Sequence, residues 1–118
     1  MNSYEITKRT LNDECIMIDP GRQLDNNNAH AMVNVISEAQ SSGYRFIIVD
    51  MSRLEFISSA GVGSILGTLE TSRSTGGDII LCNVSSNVLK VLKALDLTDY
   101  LTIKENERQA TAFCGLSS

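Results

Sequence analysis

Apolar residues recur along this chain in two rhythms, and each rhythm marks an element. Tyr4 to Thr10 alternates weakly and predicts a first strand, ended by Asn12-Asp13. Glu14-Cys15-Ile16-Met17-Ile18 predicts a second strand hairpinned to the first. Asp19-Pro20-Gly21 closes it, since proline presets φ for a turn and glycine permits positive φ. Beyond Asp25 and three asparagines that offer N-caps, Ala29, Met32, Val33, Ile36 and Ala39 fall at helical spacing on one face. Ser41-Ser42-Gly43 ends that helix.

Phe46-Ile47-Ile48-Val49 is apolar at every position, as a central strand covered on both faces requires. A second helix, Ala60 to Ser74, places Val62, Ile65, Leu66 and Leu69 together and stops at Gly76-Gly77. Ile79-Ile80-Leu81-Cys82 predicts another buried strand. A third helix carries Val88, Val91, Leu92 and Leu95, with Ser85 or Ser86 as its cap. Tyr100-Leu101-Thr102-Ile103 predicts the last strand, and a short helix with Ala110 and Phe113 follows. The order β-β-α-β-α-β-α-β-α implies an α/β layer structure with a mixed, mostly parallel sheet and helices packed against it.

Composition narrows the function. The 118 residues suit one compact domain, and 42% hydrophobic content supplies a core without a metal or disulfide staple. Fourteen acidic against ten basic side chains leave a net charge of −4, which argues against direct nucleic-acid binding. No apolar run approaches the roughly 20 residues that span a bilayer, and the first residues lack a signal peptide's pattern. The expectation is a soluble cytoplasmic domain spanning 1–118, with no membrane contact.

The thiols and the histidine suggest little chemistry of their own. Cys15, Cys82 and Cys114 have long, unrelated spacings that fit neither a disulfide framework nor a metal clip. Cys15 and Cys82 lie in strand-like runs and read as buried filler; Cys114 is left open. His30, the one histidine, has no second ligand nearby for a zinc site and reads as a helix-surface residue. No nucleophile–base pairing involves it, so the chain does not read as an enzyme.

The most informative stretch is Phe56-Ile57-Ser58-Ser59-Ala60-Gly61-Val62-Gly63, reached from the strand-end acid Asp50. Phe56 and Ile57 can tuck into the core and hold the loop down. Ser58 or Ser59 can accept from the free N–H groups of the first helical turn. Gly61 and Gly63 let that turn approach the sheet, or a partner's backbone, closely. Asp50 is suited to hydrogen-bond the loop that carries Ser59.

This stretch resembles the STAS domain and, within it, the small bacterial anti-sigma factor antagonists. Their motif has the form Phe-x-Asp-Ser-Ser/Thr/Ala-Gly-Leu/Val-Gly. The resemblance extends over nearly the whole chain in element order and length, and Leu24-Asp25 matches the Leu-Asp opening the family's first helix. It places the phosphoacceptor on Ser59. The family's acid before it is replaced by Ser58, which leaves Ser58 as a rival acceptor. The resemblance implies a partner-binding surface of Asp25, Ser58, Ser59, Gly61 and Gly63, together with the exposed face of the second helix. It also implies the partners: an anti-sigma factor that is itself a serine kinase, and a metal-dependent serine phosphatase. ATP and Mg²⁺ then belong to the kinase, and the chain needs no cofactor. In that scheme the unphosphorylated domain sequesters the kinase and frees a sigma factor, and phosphorylation of Ser59 releases the kinase.

Other readings use the same residues. A STAS domain can serve as an unphosphorylated assembly subunit, for example of a lipid transporter, or in a switch whose output is not a sigma factor. Asp13-Glu14, Asp50 and Lys104 superficially mimic a phosphoacceptor receiver domain. The acidic pair, however, precedes the second strand instead of ending the first, and the opening hairpin breaks strict βα alternation.

Overall fold

A computed structural model describes residues 5–115. Its main sheet has five strands: β1 (Thr7–Thr10), β2 (Cys15–Asp19), β4 (Phe46–Asp50), β6 (Asp78–Cys82) and β7 (Thr102–Lys104), in the order β1-β2-β4-β6-β7. β1 runs antiparallel to β2, with Thr7 opposite Asp19, and every other pair is parallel. Two further strands, β3 (Gln23–Leu24) and β5 (Phe56–Ile57), form a separate parallel pair absent from the sequence expectation. At two residues each, they are too short to show alternation. The helices are α1 (Ala29–Ser41), α2 (Ser59–Ser74), α3 (Ser86–Ala94) and α4 (Glu107–Phe113).

The sheet buries both faces because its central strands are apolar throughout. Ile16, Ile18, Ile47, Val49, Ile79 and Leu81 point to one face and pack against α1, α2 and α3. Cys15, Met17, Ile48, Ile80 and Cys82 point to the other and meet Ala110 of α4. Successive residues of a strand point to opposite faces, so one uninterrupted apolar run feeds both layers. Among the described residues no helix is long and apolar enough to cross a membrane.

The contact between α1 and α2 is partly polar, and hydrophobic spacing misses it. Gln40 donates to the Thr68 carbonyl at 2.7 Å and to the Ser72 hydroxyl at 2.9 Å. Ser64 donates to the Gly61 carbonyl at 2.6 Å, and Thr68 to the Ser64 carbonyl at 2.9 Å. Satisfied in this way, the buried hydroxyls avoid the penalty of unpaired polar groups. At the end of α2, Gly76 takes φ +85, which any residue with a Cβ resists.

Several element edges differ from the sequence expectation. Tyr4 lies outside the described residues, and β1 is seen from Thr7. Asn28 precedes α1 without capping it: its carboxamide turns back to accept from the Asp25 N–H at 2.9 Å and donate to the Gln23 carbonyl at 2.8 Å. The last strand begins at Thr102 because the amides of Tyr100 and Leu101 are held by the Leu97 carbonyl in a turn. Tyr100 instead lies under the Arg73 guanidinium, 4.9 Å from the ring centroid. Leu95 and Phe113, expected on apolar faces, are each 46% exposed.

Leu69 of α2 is fully buried, so Leu69→Ala is expected to cost about 2–5 kcal/mol in denaturant unfolding. Leu95→Ala, at an exposed site, is expected to stay within about 0.5 kcal/mol.

Candidate functional site

The loop between β4 and α2 is tied at both ends. At its start, Asp50 accepts from the Ser52 N–H and from the Asn83 carboxamide, each at 3.0 Å. Asp50 therefore braces the turn after β4 against the end of β6 and makes no bond to Ser59. Met51 and Leu54 then bury their side chains, and the Leu54 N–H donates to the Met51 carbonyl at 3.0 Å. Arg22 and Glu55 close an ion pair across the loop at 2.6 Å. That guanidinium, by its hydrogen bond and then its charge, holds the Glu55 carboxyl below its ordinary range.

At its far end the loop hangs on residues 22–24. The Glu55 N–H donates to the Arg22 carbonyl at 2.8 Å, Phe56 and Ile57 pair with Gln23 and Leu24, and the Ser58 N–H donates to the Leu24 carbonyl at 3.0 Å. Ile57 points into the core. Phe56 does not: it is 52% exposed, contrary to the expectation that it tucks inward. Adjacent strand residues face opposite ways, so only one of the pair can be buried. The inward anchors are Leu54 and Ile57, and Phe56 supports the loop through its backbone pairing with Gln23.

The two serines differ. Ser58 is the N-cap of α2: it accepts from the Gly61 N–H at 3.2 Å, and its hydroxyl lies 3.5 Å from the Asn26 side-chain oxygen. Ser59, the first helical residue, is exposed, and among the described residues nothing hydrogen-bonds its hydroxyl. The N–H groups of Ser59 and Ala60 are likewise without a partner among those residues. No charged side chain sits in the first turn of α2 between Ser59 and Ser64.

The glycines differ as well. A Cβ on Gly61 would collide with the Leu24 carbonyl oxygen and lie 2.9 Å from Ile57 Cγ1, so this position must be bare for α2 to seat on β3. Gly63 has nothing within 4 Å of such a Cβ, and neither has Gly67 one turn further on. The expected close approach to the sheet thus holds for Gly61 alone. Ser59, Gly63 and Gly67 follow at intervals of four, which puts them on one side of a helix.

Asp25 closes its own loop, accepting from the Asn27 N–H at 2.9 Å through its carboxylate and from the Ala29 N–H at 2.8 Å through its carbonyl. The fold thereby gathers the Asp25 loop, Ser58, Ser59 and Gly61 at one corner. Gly63 lies a turn along α2, and Asp50 stays at the opposite end of the loop. Sequence reasoning missed Asn26 and Gly67. The spacing of Gly67 from Gly63 was available as a signal, whereas the approach of Asn26 to Ser58 depends on the loop's tertiary path. Among the described residues no cluster of His, Cys, Asp or Glu is arranged to hold a metal ion.

An α/β domain with one antiparallel edge strand and a serine-capped helix suspended on a second, two-stranded ladder defines a recognisable class. The STAS domain model matches residues 7–110, and the chain belongs to the STAS domain family. A putative anti-sigma factor antagonist of Thermotoga maritima is 28% identical over 99 residues, 83% of this chain and 88% of that one. The crystal structure of a putative antagonist from the same organism superposes with a TM-score of 0.86 at 25% identity, covering 94% of this chain and 95% of the other. The Bacillus cell fate determinant SpoIIAA in its phosphorylated form gives a TM-score of 0.73 at 25% identity, covering 93% and 99%. A sulfate transporter family protein from Wolinella succinogenes shares the fold alone, with a TM-score of 0.77 at 14% identity over 91% of this chain and 89% of the other.

Gly61→Ala is expected to destabilise by about 1–3 kcal/mol, because backbone must move to admit the methyl group. Gly63→Ala is expected to stabilise by roughly 0.8–1 kcal/mol, since alanine is the better helix former in open space. Paired thermal melts compare the two directly. A loss at both positions contradicts the assignment of Gly63 to an open face.

Proposed function

We propose that this protein is an anti-sigma factor antagonist whose docking is switched by phosphorylation of Ser59. The observation that carries the reading is the division of labour between the serines. Ser58 spends its hydroxyl on the helix cap, whereas Ser59 presents a free hydroxyl on a turn with unpaired amides. A phosphate there adds about −1.5 to −2 charge and three acceptor oxygens. The free N–H groups and the helix dipole favour that anion by about 0.3–1 kcal/mol at an exposed site. The domain therefore accepts the modification without refolding.

The partner is a serine kinase that acts as the anti-sigma factor and brings ATP and Mg²⁺ itself. It docks over the Asp25 loop, the Ser58-Ser59 corner and the α2 face carrying Gly63 and Gly67. With no side chains standing at those glycines, a partner's backbone can pack closely against α2. A phosphate at Ser59 puts bulk and charge into that contact, and the complex separates. A metal-dependent phosphatase then restores the free hydroxyl. The exchange takes place in the cytoplasm and requires no nucleic-acid contact by this chain.

Incubation with the cognate kinase, ATP and Mg²⁺, followed by peptide mapping, tests the acceptor. Phosphate is expected on Ser59, with uptake abolished in Ser59→Ala. Ser58→Ala is expected to keep uptake while losing about 0.5–2 kcal/mol of stability, the usual worth of an N-cap. Phosphate on Ser58, or undiminished uptake by Ser59→Ala, overturns the assignment.

A further inference from the structure

The exposed side of α2 carries more than Ser59 and the glycines. Glu70 stands seven residues past Gly63, two turns along the helix, and Arg73 three past Glu70. Both therefore continue the stripe that Ser59 and Gly63 begin. The stripe runs about 21 Å from Ser59 to Arg73. At its far end it meets Tyr100, from the turn between α3 and β7. The Arg73 guanidinium lies 4.9 Å from the Tyr100 ring centroid and donates to the Tyr100 carbonyl at 2.8 Å. The Tyr100 hydroxyl donates to the Glu70 carboxylate at the longer distance of 3.5 Å.

Tyr100 is held in place before any partner arrives. Its N–H donates to the Leu97 carbonyl at 3.1 Å, which fixes the backbone. Arg73, which covers the ring, is itself anchored, because its Nε donates to the Asp78 carboxylate at 3.0 Å. Asp78 is buried and also accepts from the Ile79 N–H and the Thr102 hydroxyl. Tyr100 nevertheless remains 46% exposed. A rigid aromatic side chain loses little conformational freedom on docking, so more of its burial appears as affinity.

We infer, on top of the kinase docking proposed above and resting on it, that Tyr100 is the apolar anchor of that complex. Gly63 and Gly67 let a partner's backbone come close but bring no side-chain area, and Ser59 brings a single hydroxyl. A specific interface buries about 800 Å² on each partner, and its energy concentrates in a few aromatic and arginine side chains. The large apolar side chains left exposed among the described residues are Phe56, Leu95, Tyr100 and Phe113. Of these, Tyr100 is the one bonded to the α2 stripe. Phe113 belongs to α4, which packs on the opposite face of the sheet, and it lies against Lys104. Phe56 borders a cleft against Val88 and Val91 of α3, and Leu95 ends α3. The matching kinase surface is an apolar socket for a phenol ring. Charge decides docking at the Ser59 end, and the ring supplies affinity at the other, beyond the roughly 8 Å over which salt screens a surface charge.

Calorimetric titration of the cognate kinase with Tyr100→Ala is expected to show binding at least about tenfold weaker than with the unmutated domain. The thermal midpoint of the variant should stay close to that of the parent. Tyr100→Phe, which keeps the ring, and Phe113→Ala, on the opposite face, should bind as the parent does. In phosphotransfer, Tyr100→Ala should raise KM for this domain and leave kcat unchanged, since the ring stands far from the transferred phosphate. Hydroxyl-radical footprinting of the unmutated domain needs no variant: in the complex Tyr100 should be protected and Phe113 should not. Parent-like affinity of Tyr100→Ala, or full reactivity of Tyr100 in the complex, overturns the anchor. So does a fall in kcat at unchanged KM. Anchor and switch are separable. A complex insensitive to Ser59 phosphorylation yet weakened in Tyr100→Ala supports the anchor and refutes the switch. One lost on phosphorylation yet intact in Tyr100→Ala refutes the anchor and supports the switch.

Discussion

The candidate site depends on one close approach, the seating of the first turn of α2 against the Leu24 carbonyl. That oxygen accepts from the Ser58 N–H at 3.0 Å and fills the space a side chain at Gly61 would need. A hydrogen bond fixes the direction of entry into the helix, and a missing Cβ fixes its depth. Everything at the corner follows. Ser58 turns inward to cap, Ser59 turns out, and the Asp25 loop is held alongside through β3. The two-residue ladder of β3 and β5 is small, but it joins a turn after β2 to a turn after β4. Without it the serines would ride on an untethered loop.

This placement suits a switch in which the modification acts on the partner more than on the domain. Ser59 sits where free helical amides tolerate a phosphate, so the folded state gains or loses little. The cost arises when a second surface must bury that charge, because desolvating an unpaired phosphate is expensive. In the proposed switch, a phosphate on Ser59 would take the formal charge from −4 to about −6, with the increment concentrated at the proposed docking corner. The capping role of Ser58 explains how a hydroxyl can stand where the motif this stretch resembles has an acid. Either oxygen accepts from the first turn, and here Gly61 N–H is satisfied by the serine at 3.2 Å.

The main sheet and the helices were legible because their signal is local. Phe46 to Val49 and Ile79 to Cys82 are apolar at every position, and only strands covered on both faces bury such runs. The serine–glycine motif located the candidate site for the same reason. What escaped were features that need tertiary partners. β3 and β5 exist only because each supplies the other's hydrogen bonds, and the inward or outward choice at Phe56 and Ile57 follows from that pairing. The polar seam of Gln40, Ser64, Thr68 and Ser72 hides from hydrophobic spacing although it is buried. Asn28 looked like a cap, yet its side chain serves the preceding loop instead.

The most direct measurement is calorimetric titration of the cognate kinase with two forms of this domain, one unmodified and one stoichiometrically phosphorylated on Ser59. If Ser59 controls docking, the unmodified form binds and the phosphorylated form binds at least about tenfold more weakly, or ~1.4 kcal/mol. Its thermal midpoint should stay close to that of the unmodified domain. Equal affinities for the two forms would contradict the switch, as would an affinity loss explained by unfolding of the phosphorylated domain.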